Sequence, residues 1–207
     1  IPPLSIGNDS TFGQPQPIFS PYHHFDFSQG FTVGPPPVDP YLPKSKPLLV
    51  EYTPTANTAK QTRPSADAGT SGYIGNADHG LTTCFSFNLY GASFGCDSIG
   101  PDCDFTFTGY RYDAATKSTQ EVATHQHAIS ACPDLKSLEC ILTPITLNSD
   151  FENLDSVRID LTVQGEPNIW WMDDVRLGWF NNTCEKGMCR AKAPIRGFAK
   201  PLPIKKV

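Results

Sequence analysis

From about residue 81 onward, apolar and polar residues alternate with a period of two in a series of short segments. Residues 81–90, 104–112, 121–129, 141–147, 156–163 and 168–179 are each bounded by Gly, Pro, Asn or Asp, which predicts six strands. In 156–163 the apolar set is Val157, Ile159, Leu161 and Val163, with Arg158, Asp160 and Thr162 between them. One side of such a strand faces a core and the other faces water. Residues 47–53 form another strand candidate, and 54–80 read as a long polar loop that covers a rim or a site.

The first 46 residues are rich in Pro, Phe and Tyr. Proline at this density blocks long paired strands, so the segment is expected to be an extended lead-in that packs its aromatics on the body and contributes one edge strand. The pattern predicts an all-β, two-sheet antiparallel β-sandwich in a single domain: lead-in 1–46, sandwich 47–183, and a disulfide loop with a basic tail over 184–207. A chain of 207 residues is long enough for one sizeable core.

Composition adds a compartment. The seven cysteines include three close pairs, Cys96 with Cys103, Cys132 with Cys140, and Cys184 with Cys189, each bracketing a turn-rich stretch that can bring two Cβ atoms together. Three local disulfides are expected; a zinc site is the competing reading, but Cys-x₂-Cys spacing is absent. Cys84, in an apolar segment, reads as a small buried thiol. Sequons at Asn8 and Asn181 agree with export, and the chain reads as the mature form of a secreted, extracellular glycoprotein. No apolar run reaches the roughly 20 residues of a membrane span. Residues 1–185 carry 9 Lys and Arg against 21 Asp and Glu, whereas 186–207 carry 7 basic residues and no acidic one. The basic tail is expected to lie on the acidic body, to bind an anionic glycan, or to be a linker remnant. An acidic body repels phosphate, so nucleic acid is not an expected partner.

In residues 168–179 a regular strand would put Ile169, Trp171, Asp173, Val175, Leu177 and Trp179 on one face, and Trp170, Met172, Asp174 and Arg176 on the other. Asp173 then stands on an apolar face, where it needs hydrogen-bond donors, an Arg, or a structural calcium. Trp170 beside Asp174 and Arg176 is the chemistry of sugar recognition, with the indole on a pyranose face and the polar groups on its hydroxyls. The competing readings are that the lead-in covers Trp170, or that a β-bulge exchanges the two faces.

The segment Trp171-Met172-Asp173-Asp174-Val175-Arg176-Leu177 resembles the closing strand of galactose-binding-like jelly rolls, which include many carbohydrate-binding modules. With Ser86-Phe87-Asn88-Leu89-Tyr90, Gly95-Cys96 and Phe105-Thr106-Phe107-Thr108-Gly109-Tyr110, it also resembles a group of fungal secreted proteins, over roughly residues 30 to 190. The resemblance marks fold more than function. It implies a structural calcium held by an Asp of the closing strand, Asp173 or Asp174, and an acidic residue near the domain start, for which Asp26 is available.

Other chemistry is sparse. His125 and His127 would share a strand face at a spacing that chelates copper or zinc, with a third ligand from His79, His23 or His24; exposed histidines are the alternative. Asp150, Glu152, Asp155, Asp160 and Glu166 offer carboxylates without selecting a catalytic pair. The sequence therefore predicts a monomeric, secreted, non-catalytic carbohydrate-binding or cell-wall-associated protein. Its glycan contacts would be Trp170, Asp174, Arg176, Tyr110 and Tyr112, with Asp173 and Asp26 for calcium. The alternative is a secreted polysaccharide-active enzyme on the same scaffold.

Overall fold

The computed structural model describes residues 16–18, 24–34, 40–45, 48–54, 69–76, 83–135 and 139–192. Among them, twelve strands and one α-helix run in chain order: β1 Gln16–Pro17, β2 Phe25–Phe27, β3 Phe31–Gly34, β4 Leu49–Tyr52, β5 Gly72–Asn76, β6 Phe87–Cys96, β7 Cys103–Asp113, β8 Ser118–Ile129, β9 Thr143–Thr146, β10 Ser156–Val163, β11 Glu166–Pro167, β12 Trp170–Trp179 and α1 Cys184–Lys192. They make two packed sheets, a back sheet in the order β1-β3-β4-β12-β6-β9 and a front sheet in the order β2-β5-β10-β7-β8, with β11 hairpinned onto β10. Neighbouring strands pair antiparallel throughout, giving the two-sheet β-sandwich that the alternation predicts.

The core lies between the sheets. Val157, Ile159 and Leu161 of β10 meet Phe87, Leu89, Ala92 and Phe94 of β6 in one continuous cluster that also holds Phe105, Phe107, Tyr52 and Trp170. Burial of such side chains, each contributing roughly 1.5–3 kcal/mol, is the main stabilising term. The lead-in supplies three strands rather than one. Phe31 of β3 meets Trp170 edge-on at 5.5 Å, and Phe25 of β2 stacks on Trp179 at 5.2 Å, so its aromatics are part of the core of both sheets.

The segment read as a polar loop contains β5, which pairs with β10 and β2 inside the front sheet. Its glycines disguise it. A Cβ at Gly72 would sit 2.8 Å from Phe31 Cζ and 2.9 Å from Trp170 Cζ2, so the aromatic core requires a bare backbone there. The strand predicted at 81–90 runs instead over Phe87–Cys96, passing through Gly91 at φ +135°.

In β12, Trp170 and Met172 belong to the main core, Trp171 belongs to a second cluster with Tyr41, Leu49, Cys140 and Leu142, and Val175, Leu177 and Trp179 pack on the main core again. The faces exchange at a register shift between Asp173 and Arg176, where Asp174 adopts φ +51°. This β-bulge puts one extra residue into the strand and turns its second half over.

Candidate functional site

The outer face of the front sheet gathers the polar and aromatic side chains that the core rejects. With the odd-numbered residues of β10 turned inward, its even-numbered ones point out. Register places Arg158 between Tyr73 of β5 and Thr108 of β7, Ser156 between Gly75 and Tyr110, and Asp160 beside Thr106. Arg158 Nε donates to Asp160 Oδ2 at 2.8 Å, and Arg158 Nη2 donates to Thr108 Oγ1 at 3.3 Å. Its guanidinium carbon lies 5.9 Å from the centroid of the Tyr110 ring. Ser71 Oγ donates to Asp160 Oδ1. Burial raises the Tyr110 phenol above its ordinary value, opposed by the nearby Arg158 cation. Desolvation works against the Arg158 cation, but attraction to Asp160 and Tyr110, with a hydrogen bond to Tyr73, outweighs it and holds the group firmly protonated.

Farther along the same sheet, Asp104, Thr106, Gln126, Ala128 and Thr162 line an open depression of about 460 Å³. Thr106 pairs with Asp160 and Thr162 with Asp104, so the depression adjoins the Arg158–Asp160 pair. The surface thus offers tyrosine rings, a fixed guanidinium and carboxylate, and a row of hydroxyl and amide groups. These can pack on apolar C–H faces and hydrogen-bond hydroxyls in alternation.

Trp170, expected as a glycan contact, is 0 % exposed in the core, between Tyr52, Phe31, Phe94 and Phe105. It therefore does not join Asp174, in the bulge, and Arg176, just after it, both of which are exposed. Arg176 Nη2 donates to Ile145 O at 3.0 Å and to Thr146 Oγ1 at 3.3 Å, tying β12 to β9 across β6. Tyr110 is on the front face. Tyr112 lies two residues farther along β7, and its N–H donates to Asp155 at 2.7 Å.

The sequence matches the family described as "Domain of unknown function (DUF7371)" over residues 1–190. The chain belongs to that family. A solved structure, the crystal structure of a DUF4465 family protein from Bacteroides caccae ATCC 43185, is similar at 13 % identity and a TM-score of 0.48, covering 80 % of this chain and 86 % of that one. No curated protein matches.

In this family member Asp173 is buried and accepts hydrogen bonds from Ser45 N and Ser45 Oγ, both at 2.7 Å, and from its neighbour Asp174 N at 2.7 Å. The carboxylate is satisfied by donors and fastens the 40–45 segment to β12. Asp26 lies in the other sheet, opposite Gly75, so the structure does not bring the two together around one ion. No group of three or more His, Cys, Asp and Glu gathers among the described residues.

Disulfides join Cys96 to Cys103, Cys132 to Cys140, and Cys84 to Cys189. The expected Cys184–Cys189 bridge is replaced, because α1 carries both residues and turns Cys189 toward Cys84, leaving Cys184 as an exposed thiol. Arg190 reinforces the clasp: Nη1 donates to Cys84 O at 2.7 Å and Asn181 O at 2.9 Å, and the guanidinium lies 5.0 Å from the Trp179 ring centroid. Asn181 Oδ1 accepts from Thr183 N at 3.0 Å, whereas Asn8, His23 and His79 lie outside the described residues.

His125 and His127 are stacked, ring centroids 6.1 Å apart, opposite Phe107 and Phe105 on the core-facing side of β8 rather than on its open side. The carboxylates considered for a catalytic pair are dispersed: Asp150 in a 3₁₀ turn, Glu152 just after it, and Glu166 in β11. Asp160 pairs with Arg158. Asp155 is buried and accepts from Asn76 Nδ2, Ser86 Oγ and Tyr112 N.

Sequence reasoning missed Tyr73, hidden in the supposed loop, and passed over Arg158 as an ordinary wet-face residue. The signal for both was the clean alternation of β10, whose outward positions lie between β7, which the pattern predicts, and β5, which it hides.

Proposed function

We propose that this chain is an extracellular, non-catalytic carbohydrate-binding protein whose ligand lies along the outer face of the front sheet. The observation that carries the reading is the row of Tyr73, Arg158 and Tyr110 beside Asp160, continued by the depression at Asp104, Thr106 and Gln126. Half-buried tyrosines stack on pyranose rings, while a guanidinium and a carboxylate held in place discriminate hydroxyl positions with little ordering cost. The three disulfides and the absence, among the described residues, of a helix long and apolar enough to cross a membrane are compatible with export.

The test is a pull-down on insoluble cellulose, chitin, β-1,3-glucan and xylan, followed by titration with the matching hexasaccharide. Wild type is expected to bind at least one of them, and Tyr110→Ala or Arg158→Ala to weaken that binding by about tenfold while the melting curve is retained. Retention of none of the four, or full binding by both variants, contradicts the reading.

A further inference from the structure

The back sheet carries a second exposed ring. Tyr90 of β6 is 44 % exposed, although its neighbours Phe87 and Leu89 are core residues. Its outer half covers Gly178 of β12, where a Cβ would sit 3.1 Å from Tyr90 Cε2 and 3.2 Å from its hydroxyl oxygen. The hydroxyl accepts from Asn88 Nδ2 at 3.2 Å, and Asn88 Oδ1 in turn accepts from Asn153 N at 3.0 Å. The outer half of the ring is therefore held twice, by the glycine beneath it and by an anchored amide at its hydroxyl.

Arg176 pairs with Gly91, the residue after Tyr90, and its guanidinium passes so close that a Cβ at Gly91 would lie 2.7 Å from Nη2. The same guanidinium is fixed by Ile145 O and Thr146 Oγ1. Asp174 stands exposed in the adjoining bulge. Covering a strand glycine accounts for an aromatic ring at this position. It does not account for a pinned hydroxyl on a half-exposed ring with a guanidinium fixed at the next residue pair, Arg176 and Gly91.

We propose that Tyr90, with Arg176 and Asp174, is a second sugar-stacking platform on the side of the sandwich opposite Tyr110, and that the protein bridges two polysaccharide strands. The ligand class rests on the carbohydrate reading of the front face. The register shifts in β12 create this site: Trp170 before them turns inward, leaving Tyr90 from the neighbouring strand as the aromatic next to Arg176. In place of a single face that holds one chain, the two faces act as a cross-link.

The test uses the full chain with cello-, chito-, xylo- and laminarihexaose in calorimetry, and beads coated with the corresponding polysaccharide in an agglutination assay. Wild type is expected to bind two equivalents of its hexasaccharide and to agglutinate the beads. Tyr90→Ala should bind one equivalent and lose agglutination, Tyr110→Ala should do the same, and Tyr90→Phe, which keeps the ring, should preserve both readouts. Circular dichroism melting separates loss of a site from loss of fold, and Arg176→Gln provides a second variant should Tyr90→Ala not fold. A wild-type stoichiometry of one, or undiminished agglutination by Tyr90→Ala or by Arg176→Gln, overturns the bridging proposal and leaves the front-face reading intact. Absence of any binding by wild type overturns both.

Discussion

On the back sheet, the outward side of β12 around Trp171 is roofed by Tyr41, Leu49, Cys140 and Leu142, and Asp173 is tied to Ser45 at the margin of that roof. On the front sheet the equivalent outward positions of β10, Arg158 and Asp160, stay part-exposed between Tyr73 and Tyr110. Both faces arise from one period-two pattern. They differ in the segments packed over them: the 40–45 stretch and the disulfide loop at Cys132–Cys140 cover the back sheet around Trp171, whereas Arg158 and Asp160 on the front sheet stay open to a ligand. A carboxylate is satisfied in both settings, but under the roof its partners are backbone and Ser45, whereas on the open face they are Ser71 and a cation that a ligand can also reach.

That contrast is broken most severely from inside. Trp170→Ala is expected to cost about 3–5 kcal/mol in denaturant unfolding. Tyr110→Ala, at a residue that the sequence pattern assigns the same role, should cost less than about 1 kcal/mol. Replacing Cys84 and Cys189 together by Ser should lower stability by about 2–4 kcal/mol, because that bridge closes a separation of 105 residues. Cys184→Ser should leave the melting midpoint in place. Under the roof, Asp173→Ala strands the Ser45 and Asp174 donors and should cost about 1–3 kcal/mol, measurable by thermal melting.

The smallest effect concerns tyrosine ionisation. Burial raises Tyr41, Tyr52 and Tyr110 above the ordinary value of 10.0, Tyr52 also through Asp160. A raised folded pKa favours the neutral phenol, so the stability it contributes is complete below pH 10 and declines as pH rises past 10 toward the folded values. Ultraviolet titration should show these three phenols ionising above pH 10; their ionisation near the ordinary value would remove the contribution.

Much of the fold was legible because β7, β8 and β10 are long, alternate cleanly and end at turns. β5 was not, since the large rings of Phe31 and Trp170 demand glycine where a strand would normally show a β-branched residue. A regular β12 would put Trp170 and Met172 on the face of Asp174 and Arg176, and the bulge, the competing reading, turns those two inward instead; no residue type announces it, because Asp174, at φ +51°, is of a kind that tolerates many turns. Local cysteine spacing found two bridges and failed on the third, where a helix near the chain's end reaches back to Cys84. Of the candidate site, Tyr110 was legible as an outward tyrosine. Tyr73 and Arg158 depend on which strands neighbour β10, and that is set by long-range pairing.

Hydrogen exchange with and without the bound hexasaccharide tests the open face most directly. The account predicts added protection across residues 72–76, 104–110 and 156–162, with little change in the roof at 40–45 and 139–142. Protection confined to the roof, or ligand binding with no protection in β5, β7 and β10, would contradict it.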